Sequence, residues 1–284
     1  MSTVTVPTSA PAPSTLAQLR PARVAYRHAF LALLQRDFHV LFKSFPLFLL
    51  RTIMQPLLLM FVFTYDFPKI GQGVGGGEGS AEFTTTLVAG VVGLAILFQG
   101  IQAVALPLVQ EFGYSKEIED RVLAPLPTRL VGVQKIVTGM LQGLVAAAFV
   151  FPIAAIVPAT PVNLHIHWLI LITLAPLAGW VSAALGLVLG TKVQPQFVSY
   201  LFALVVLPLT FLGAIYYPWQ ALEPIRWLQI LVLANPLVYM CEGFRAALTP
   251  VDHMSLWVVY PALLAFSVLF TWLGVNGFKR RVLT

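Results

Sequence analysis

The residues that could do chemistry are sparse in the apolar stretches of this chain. The main polar side chains there are four amides, Gln55, Gln99, Gln102 and Gln142. The same stretches hold no Ser–His–Asp arrangement, no HExxH motif and no pair of carboxylates. We therefore predict no catalytic residue and a chain that is not an enzyme. The amides could line a polar path or hydrogen-bond neighbouring helices, and the sequence leaves both roles open.

The sequence gives little support for a metal site, a nucleotide-binding loop or a functional cysteine. His165 and His167 form an HxH pair without a third ligand nearby, so we predict no metal site. A GxGxxG match begins at Gly71, but no predicted strand precedes it and no lysine follows it, as phosphate binding by a P-loop requires. We interpret it as a flexible loop. The single cysteine, Cys241, excludes a disulfide within this chain and a cysteine metal cluster.

The composition places the chain in a membrane. It is 58% hydrophobic and 10% charged, with a mean hydropathy of +0.86, whereas soluble domains carry about 25% charged residues. A transmembrane helix needs about 20 apolar residues. Six segments meet this requirement, and they predict an all-α membrane protein: Phe45–Tyr65, Thr85–Val109, Gly132–Val157, His165–Gly190, Phe197–Tyr217 and Ser255–Phe278.

Between the fifth and sixth spans lies an apolar stretch, Trp219–Pro250, that charged and proline residues interrupt. We predict an outer re-entrant hairpin of two short helices, because broken backbone at membrane depth must be buried by protein or line water. Tyrosine and tryptophan residues near this hairpin could form an interfacial belt or act as gate residues. They are Tyr216, Tyr217, Trp219, Trp227 and Tyr239.

The distribution of basic residues predicts the orientation. Most of the 17 Lys and Arg residues lie before the first span, between spans two and three, between spans four and five, or after span six. Lys and Arg accumulate in cytoplasmic loops, so we place both termini in the cytoplasm of a multi-pass protein of the cell (inner) membrane. Residues 1–22, rich in Ser, Thr, Pro and Ala and without a secretory signal, are predicted to be a disordered tail, and residues 23–284 a transmembrane domain.

An amphipathic helix is predicted ahead of the first span, from Ala25 to Phe45. Phe30, Leu34, Phe38 and Leu41 recur at three- and four-residue spacing. Basic residues accompany them, which is typical of a helix lying in the membrane interface. Its role is either to anchor the chain or to transmit force from a cytoplasmic partner. The basic residues are Arg27, Arg36 and Lys43.

Small residues and one charged residue mark the packing of the spans. Ser182, Gly186 and Gly190 share a helix face, which lets helices approach closely in lipid, and we expect contacts within the chain. Arg51 lies in the first span, about a turn and a half from its cytoplasmic end, so its side chain can extend to the interface.

The loop between spans two and three has a charged part followed by an apolar turn. The apolar turn holds Leu123 and Pro125, and Arg129 and Lys135 follow it. The pattern suits docking into a groove of a soluble protein, although an ordinary solvated loop remains an alternative. The charged part contains Lys116, Glu117, Glu119, Asp120 and Arg121.

Four segments carry a family resemblance, and they follow one another along the chain. They are the first-span entry with Arg51, Gln55 and Pro56; the 116–135 loop; the fifth-span exit with Gly213 and Pro218; and the outer segment with Asn235, Pro236, Glu242 and Arg245. In this order they resemble the permease subunits of type-2 ABC exporters, a family that exports drugs, lipo-oligosaccharides and O-antigens. The resemblance covers about residues 23–279, and one departure is Leu212 before Gly213, where many relatives have Ser–Gly.

The resemblance implies partners and a mechanism. Two permeases, identical or paralogous, would face each other in membrane lipid and clasp two cytoplasmic ABC ATPase subunits, with no nucleic acid involved. The 117–121 segment would be the coupling helix, and helix 25–42 would rest on the same ATPase. ATP and Mg²⁺ would bind the ATPase, leaving no cofactor on this chain.

The apolar spans favour export of a lipophilic or amphiphilic drug or lipid-linked molecule, and export of a glycan of the teichoic-acid type is the alternative. A membrane-embedded transferase would need a polar cluster at one membrane face. A secondary transporter would need ionisable residues in the spans, which are scarce here.

Overall fold

The computed structural model describes residues 22–70, 79–115, 127–159, 162–197, 200 and 202–283. Within these ranges the chain forms helices joined by turns and contains no strand. The helices are α1 Ala22–Lys43, α2 Phe45–Met60, α3 Gly79–Gln110, α4 Thr128–Ile156, α5 Trp168–Lys192, α6 with a π turn Phe202–Val206 and an α turn Leu207–Phe211, α7 Arg226–Leu231, α8 Pro236–Leu248 and α9 Leu256–Leu283. Single π turns, Phe61–Asp66 and Glu111–Ser115, extend α2 and α3.

The predicted all-α membrane fold is confirmed. Five helices are long and apolar enough to cross a membrane, namely extended α2, α3, α4, α5 and α9. They coincide with predicted spans one to four and six, with ends displaced by a few residues. The number becomes six if the bent pair of α7 and α8 is counted as one span.

The fifth predicted span, Phe197–Tyr217, ends earlier than the sequence indicates. Its described helix, α6, stops at Phe211, and the backbone turns at Leu212 and Gly213. Ala214 then has a positive φ of 51°, which no helix continues through. The apolar run continues past this point, so hydropathy alone could not indicate the break.

Helix α3 lies at the centre of the bundle. Of its most apolar 18 residues, 89% are buried inside the protein, against 17% for α9 and 22% for α2. The central helix packs against α4, α5 and α8. The apolar outer faces of α2 and α9 are therefore left for lipid or another protein chain.

Small residues bring α3 and α5 together. A Cβ atom added at Gly100 of α3 would lie 2.6 Å from the Cβ of Ser182, and one added at Gly186 of α5 would lie 2.9 Å from the carbonyl oxygen of Ile101. Added at Gly190, it would lie 3.1 Å from the Cα of Ala105. The prediction that Ser182, Gly186 and Gly190 pack within the chain is confirmed.

The two short helices predicted between the fifth and sixth spans are present as α7 and α8, which we call the hairpin. A 3-10 turn, Val232–Ala234, follows α7, and the chain then bends by 96° into α8. The end of α8 pairs with the segment before α5, because the amides of His165 and His167 donate to the carbonyls of Leu248 and Ala247 at 2.9 and 2.8 Å. The two histidines therefore contribute backbone hydrogen bonds that hold the hairpin to the bundle.

The two ends of the bundle differ in charge. Basic residues close α1, α5 and α9 at one end, which we call the basic end, and the α7–α8 hairpin lies at the other, the hairpin end. At the basic end Nη1 of Arg281 donates to the carbonyls of Gly190, Thr191 and Val193 at 3.2, 2.9 and 2.9 Å. A cation at the C-terminus of a helix satisfies carbonyls that have no partner within the helix.

The helix predicted ahead of the first span is present as α1, and it packs along the bundle at the basic end. Tyr26, Ala29, Phe30 and Leu33 contact a buried cluster that includes Val131 of α4. The exposed face carries Arg27, Arg36 and Lys43, together with apolar residues. Those apolar residues are Leu31, Val40 and Phe42, each more than half exposed, so the helix is less amphipathic than its spacing suggests.

Candidate transport site

A cavity of about 910 Å³ opens at the basic end between α1, α2, α3 and α4. We call it the basic-end cavity. Its volume lies within the ~300–1,000 Å³ that is usual for ligand sites. Apolar residues such as Leu41, Phe48 and Leu106 form part of the wall. The charged residues of the wall are Arg36, Asp37, Arg51, Glu111 and Lys135.

Polar side chains from three spans form the deep wall of this cavity. Nε of Arg51 on α2 donates to Oε1 of Gln102 on α3 at 2.7 Å, and Nη2 donates to the same oxygen. Oγ1 of Thr52 donates to Oε1 of Gln99 at 3.1 Å. Gln99 in turn donates to Gln142 of α4 over 3.4 Å. Gln99, Gln102 and Gln142 thus hydrogen-bond neighbouring helices, as one of the two roles left open by the sequence requires, and they also line this cavity.

One ion pair and two hydrogen bonds to a carboxylate connect the helices at the mouth of the cavity. Nζ of Lys135 on α4 lies 2.7 Å from Oε1 of Glu111 at the end of α3, and both side chains are largely buried. Asp37 connects α1 to α4, since its Oδ2 accepts from Nε2 of Gln134 at 2.9 Å and from Thr138 at 3.4 Å. These contacts attach the N-terminal helix directly to the third span.

A second depression, of about 560 Å³, runs along α2 from Arg51 toward the hairpin end. We call it the apolar groove. Met54, Leu58 and Val62 form its α2 wall, and Phe98 lies on its α3 side. Arg51 and Gln102 belong to both the groove and the basic-end cavity. A charged and hydrogen-bonding site is therefore continuous with an apolar one.

At the hairpin end, a fully buried pair ties together segments far apart in the chain. Glu242 and Arg245 of α8 are 2.7 Å apart. Glu242 also accepts from the amides of Trp219 and Met254 at 2.7 Å each. Nη2 of Arg245 donates to the carbonyls of Ala214 and Ile215. We call this set of contacts the hairpin latch.

The chain matches known membrane transport proteins. A family model for the ABC-2 type transporter matches residues 28–249, well over half of the chain. The chain belongs to the ABC-2 type transporter family. It is 27% identical over 224 residues to the inner membrane transport permease YadH of Escherichia coli strain K12, with 78% of this chain and 84% of YadH covered. The YadH proteins of E. coli O157:H7 and Shigella flexneri match equally.

Family membership makes the chain a multi-pass permease of an ABC transporter and confirms the resemblance found in the sequence. The residues that resemble family positions lie in two parts of the structure. Arg51, Gln55 and Pro56 lie on α2, where Arg51 and Gln55 line the apolar groove and Pro56 is buried. The other positions surround the hairpin latch.

Around the latch, Asn235 and Gly213 fix the start of α8 against the end of α6. Oδ1 of Asn235 accepts from the amide of Leu237 at 3.0 Å, which caps α8, and its Nδ2 donates to the carbonyl of Leu209 at 2.7 Å. A Cβ atom at Gly213 would lie 2.3 Å from Cδ2 of Leu237. Pro236 occupies the first turn of α8, and Pro218 precedes the 3-10 turn Trp219–Leu222.

The predicted coupling residues lie outside the described residues, so their role stays a prediction. They are Lys116, Glu117, Glu119, Asp120, Arg121, Leu123 and Pro125. Sequence reasoning did not select Asp37 or Glu111, although both border the cavity. For Glu111, the available signal was an acidic residue just after the second predicted span, with Lys135 near the start of the third.

Proposed function

We propose that this permease is the membrane subunit of an ATP-driven exporter that moves a lipophilic or amphiphilic molecule out across the cell membrane. The observation that carries the proposal is the junction at Arg51, where the basic-end cavity meets the apolar groove. A site of this kind suits a molecule with a polar and an apolar part. The glycan alternative lacks a comparable feature, because the groove offers few hydrogen-bonding groups.

The proposed orientation places the basic end in the cytoplasm and the hairpin end outside. Lys43, Lys192 and Arg281 then lie on the cytoplasmic side, in agreement with the positive-inside rule. Six spans result if α6 and the residues before it form the fifth and α7–α8 re-enters the outer leaflet. The basic-end cavity would then receive cargo from the cytoplasm or the inner leaflet.

The proposed partners are two cytoplasmic ABC ATPase subunits and a second permease, identical or paralogous. ATP and Mg²⁺ would be held by the ATPase. The 116–125 loop would insert into the ATPase as a coupling element, and α1 would rest beside it. The contact of Asp37 with α4 supports a role for α1 in coupling, because it connects α1 directly to a membrane-spanning helix.

The test is copurification with a candidate ABC ATPase of the same organism, one that has a P-loop and no membrane spans. The wild type is expected to retain the ATPase and to stimulate its ATP hydrolysis. A variant with Glu117→Lys and Asp120→Lys is expected to lose most of both, because reversing two charges opposes a charged interface. The matched control is Glu223→Lys, an exposed acidic residue at the hairpin end. Equal ATPase binding by the 117/120 variant would refute the coupling assignment.

Vesicles separate the proposed cargo from its alternative. Vesicles containing both proteins are expected to export a fluorescent amphiphile only with hydrolysable ATP. Transport of a lipid-linked glycan but not of the amphiphile would favour the glycan. Transport without the ATPase would contradict the proposal altogether.

A further inference from the structure

Arg51 carries a charge that the described protein does not neutralise. It lies seven residues after the Ser44 turn, which is about 10 Å along α2 at the usual helical rise. Among the described residues its partner is the neutral amide of Gln102, and no carboxylate lies within ion-pair distance. A cation at this depth in a membrane helix normally pairs with an anion or faces water.

Lys135, another cation of the cavity, differs from Arg51 in this respect. Lys135 is paired with Glu111, and Arg36 has an interaction of its own. The wall has three cations, Arg36, Arg51 and Lys135, against two acidic residues. The described wall of the basic-end cavity therefore has a formal net charge of +1.

The wall of the groove continues from Arg51 as a single face of α2. Met54, Leu58, Leu59 and Val62 follow Arg51 at the three- and four-residue spacing of one helical face. From Arg51 to Val62 the helix rises about 16 Å. That is roughly half of the ~30 Å hydrocarbon core, or the depth of one leaflet. An acyl chain lying along this face would have its charged end at Arg51.

We infer that the basic-end cavity and the apolar groove together bind one anionic amphiphile. Its phosphate or carboxylate group contacts the Arg51 guanidinium and the amide of Gln102, and its hydrocarbon chain lies along Met54, Leu58 and Val62. A guanidinium binds such anions through two parallel hydrogen bonds, and the amides supply further donors. That this ligand class is the transported cargo rests on the proposed function.

The test uses two lipids that differ in headgroup charge and share the same chains. The purified full-length chain, in a neutral detergent, is mixed with dioleoylphosphatidate or dioleoylphosphatidylcholine, and bound lipid is counted by native mass spectrometry. The wild type is expected to prefer phosphatidate by about tenfold, the effect of one charge-assisted contact. Equal binding of the two lipids by the wild type would overturn the proposal.

Variants of Arg51 test whether this residue causes the preference for phosphatidate. Arg51→Gln is expected to lose it, while Arg51→Lys, which keeps the charge, is expected to retain most of it. Arg129→Gln removes an exposed basic residue of the first turn of α4 that does not line either depression, and it should bind as the wild type does. An undiminished preference in a folded Arg51→Gln variant, judged by gel filtration, would refute the assignment of Arg51.

Two further measurements, competition with phosphate and binding of the ATPase, distinguish a failure of this lipid site from a failure of the proposed function. Inorganic phosphate at millimolar concentration should not displace phosphatidate, and displacement would overturn the assignment to an amphiphile. The same variants are tested for binding of the ATPase. A wild type that retains the ATPase but shows no lipid preference refutes this site alone. A wild type that does not bind the ATPase refutes the proposed function instead.

Discussion

Glu242 and Arg245 form an ion pair, Oε1 to Nη1 at 2.7 Å, in which neither side chain is exposed. They lie one helical turn apart on α8, but their remaining contacts are with other segments. Glu242 receives the amides of Trp219 and Met254, and Arg245 donates to the carbonyls of Ala214 and Ile215. Since α6 ends just before Ala214 and α9 begins just after Met254, the pair holds both of these helices to the hairpin.

Neutralising one member of this pair is expected to destabilise the permease strongly. Glu242→Gln leaves the Arg245 charge buried without its partner and replaces an acceptor for backbone amides by a donor. Breaking a buried pair in this way costs about 3–5 kcal/mol. The measurement is the thermal unfolding midpoint in detergent, followed by fluorescence-detected gel filtration.

The control for this prediction is Glu223→Gln, in the same hairpin but exposed. Its unfolding midpoint should match that of the wild type. If Glu242→Gln unfolds at the wild-type temperature as well, the latch does not stabilise the hairpin end.

Two glycines should respond oppositely to the same substitution. A methyl group at Gly186 would meet the backbone of Ile101 at 2.9 Å, so Gly186→Ala forces α3 and α5 apart. Overpacking of this kind costs about 1–3 kcal/mol. At Gly132 the nearest atom to an added Cβ is 3.6 Å away, an ordinary contact. Gly132→Ala should therefore be neutral or stabilise the protein by up to about 1 kcal/mol, through helix propensity.

The comparison is made on unfolding midpoints of the two single variants in one detergent. A Gly186→Ala variant that unfolds at the wild-type temperature would show that α3 and α5 are not in the close contact described above.

The Lys135–Glu111 pair is expected to show strong energetic coupling. Lys135→Met and Glu111→Gln each leave a largely buried charge without this partner, at a cost of about 3–5 kcal/mol. The double variant removes both charges and should cost less than the two single variants together, by at least about 1 kcal/mol. A double-mutant cycle of unfolding free energies measures this difference. Simple additivity of the three values would contradict a direct interaction.

The proposed orientation can be tested by thiol labelling. Cys241 is the only cysteine and is buried, so Cys241→Ala provides a background without reactive thiols. In that background, Glu223→Cys should react with a membrane-impermeant maleimide in intact cells. Lys279→Cys, exposed at the basic end, should react only after permeabilisation. The reverse pattern would place the basic end outside the cell.

The elements that were predicted correctly depend on local properties of the sequence. The long apolar runs of α2, α3, α4, α5 and α9 identify membrane helices because an isolated helix must satisfy its own backbone in lipid. The stripe of Ser182, Gly186 and Gly190 indicates close packing because four-residue spacing places small residues on one face. The same reasoning failed at α6, where Arg245 and Gly213 direct the backbone out of the helix after Phe211.

By itself, the amino-acid sequence determined that this protein crosses a membrane several times, has a basic and a hairpin end, and resembles an ABC exporter permease. Hydropathy, loop charge and motif order are properties of neighbouring residues and need no knowledge of contacts. Only the tertiary structure decided that Arg51 meets Gln102, 51 residues away, that Asp37 meets Gln134, 97 residues away, and that Glu242 holds Trp219. Each of these contacts depends on how helices pack side by side, because a polar group in an apolar interior takes whichever partner the packing brings within reach.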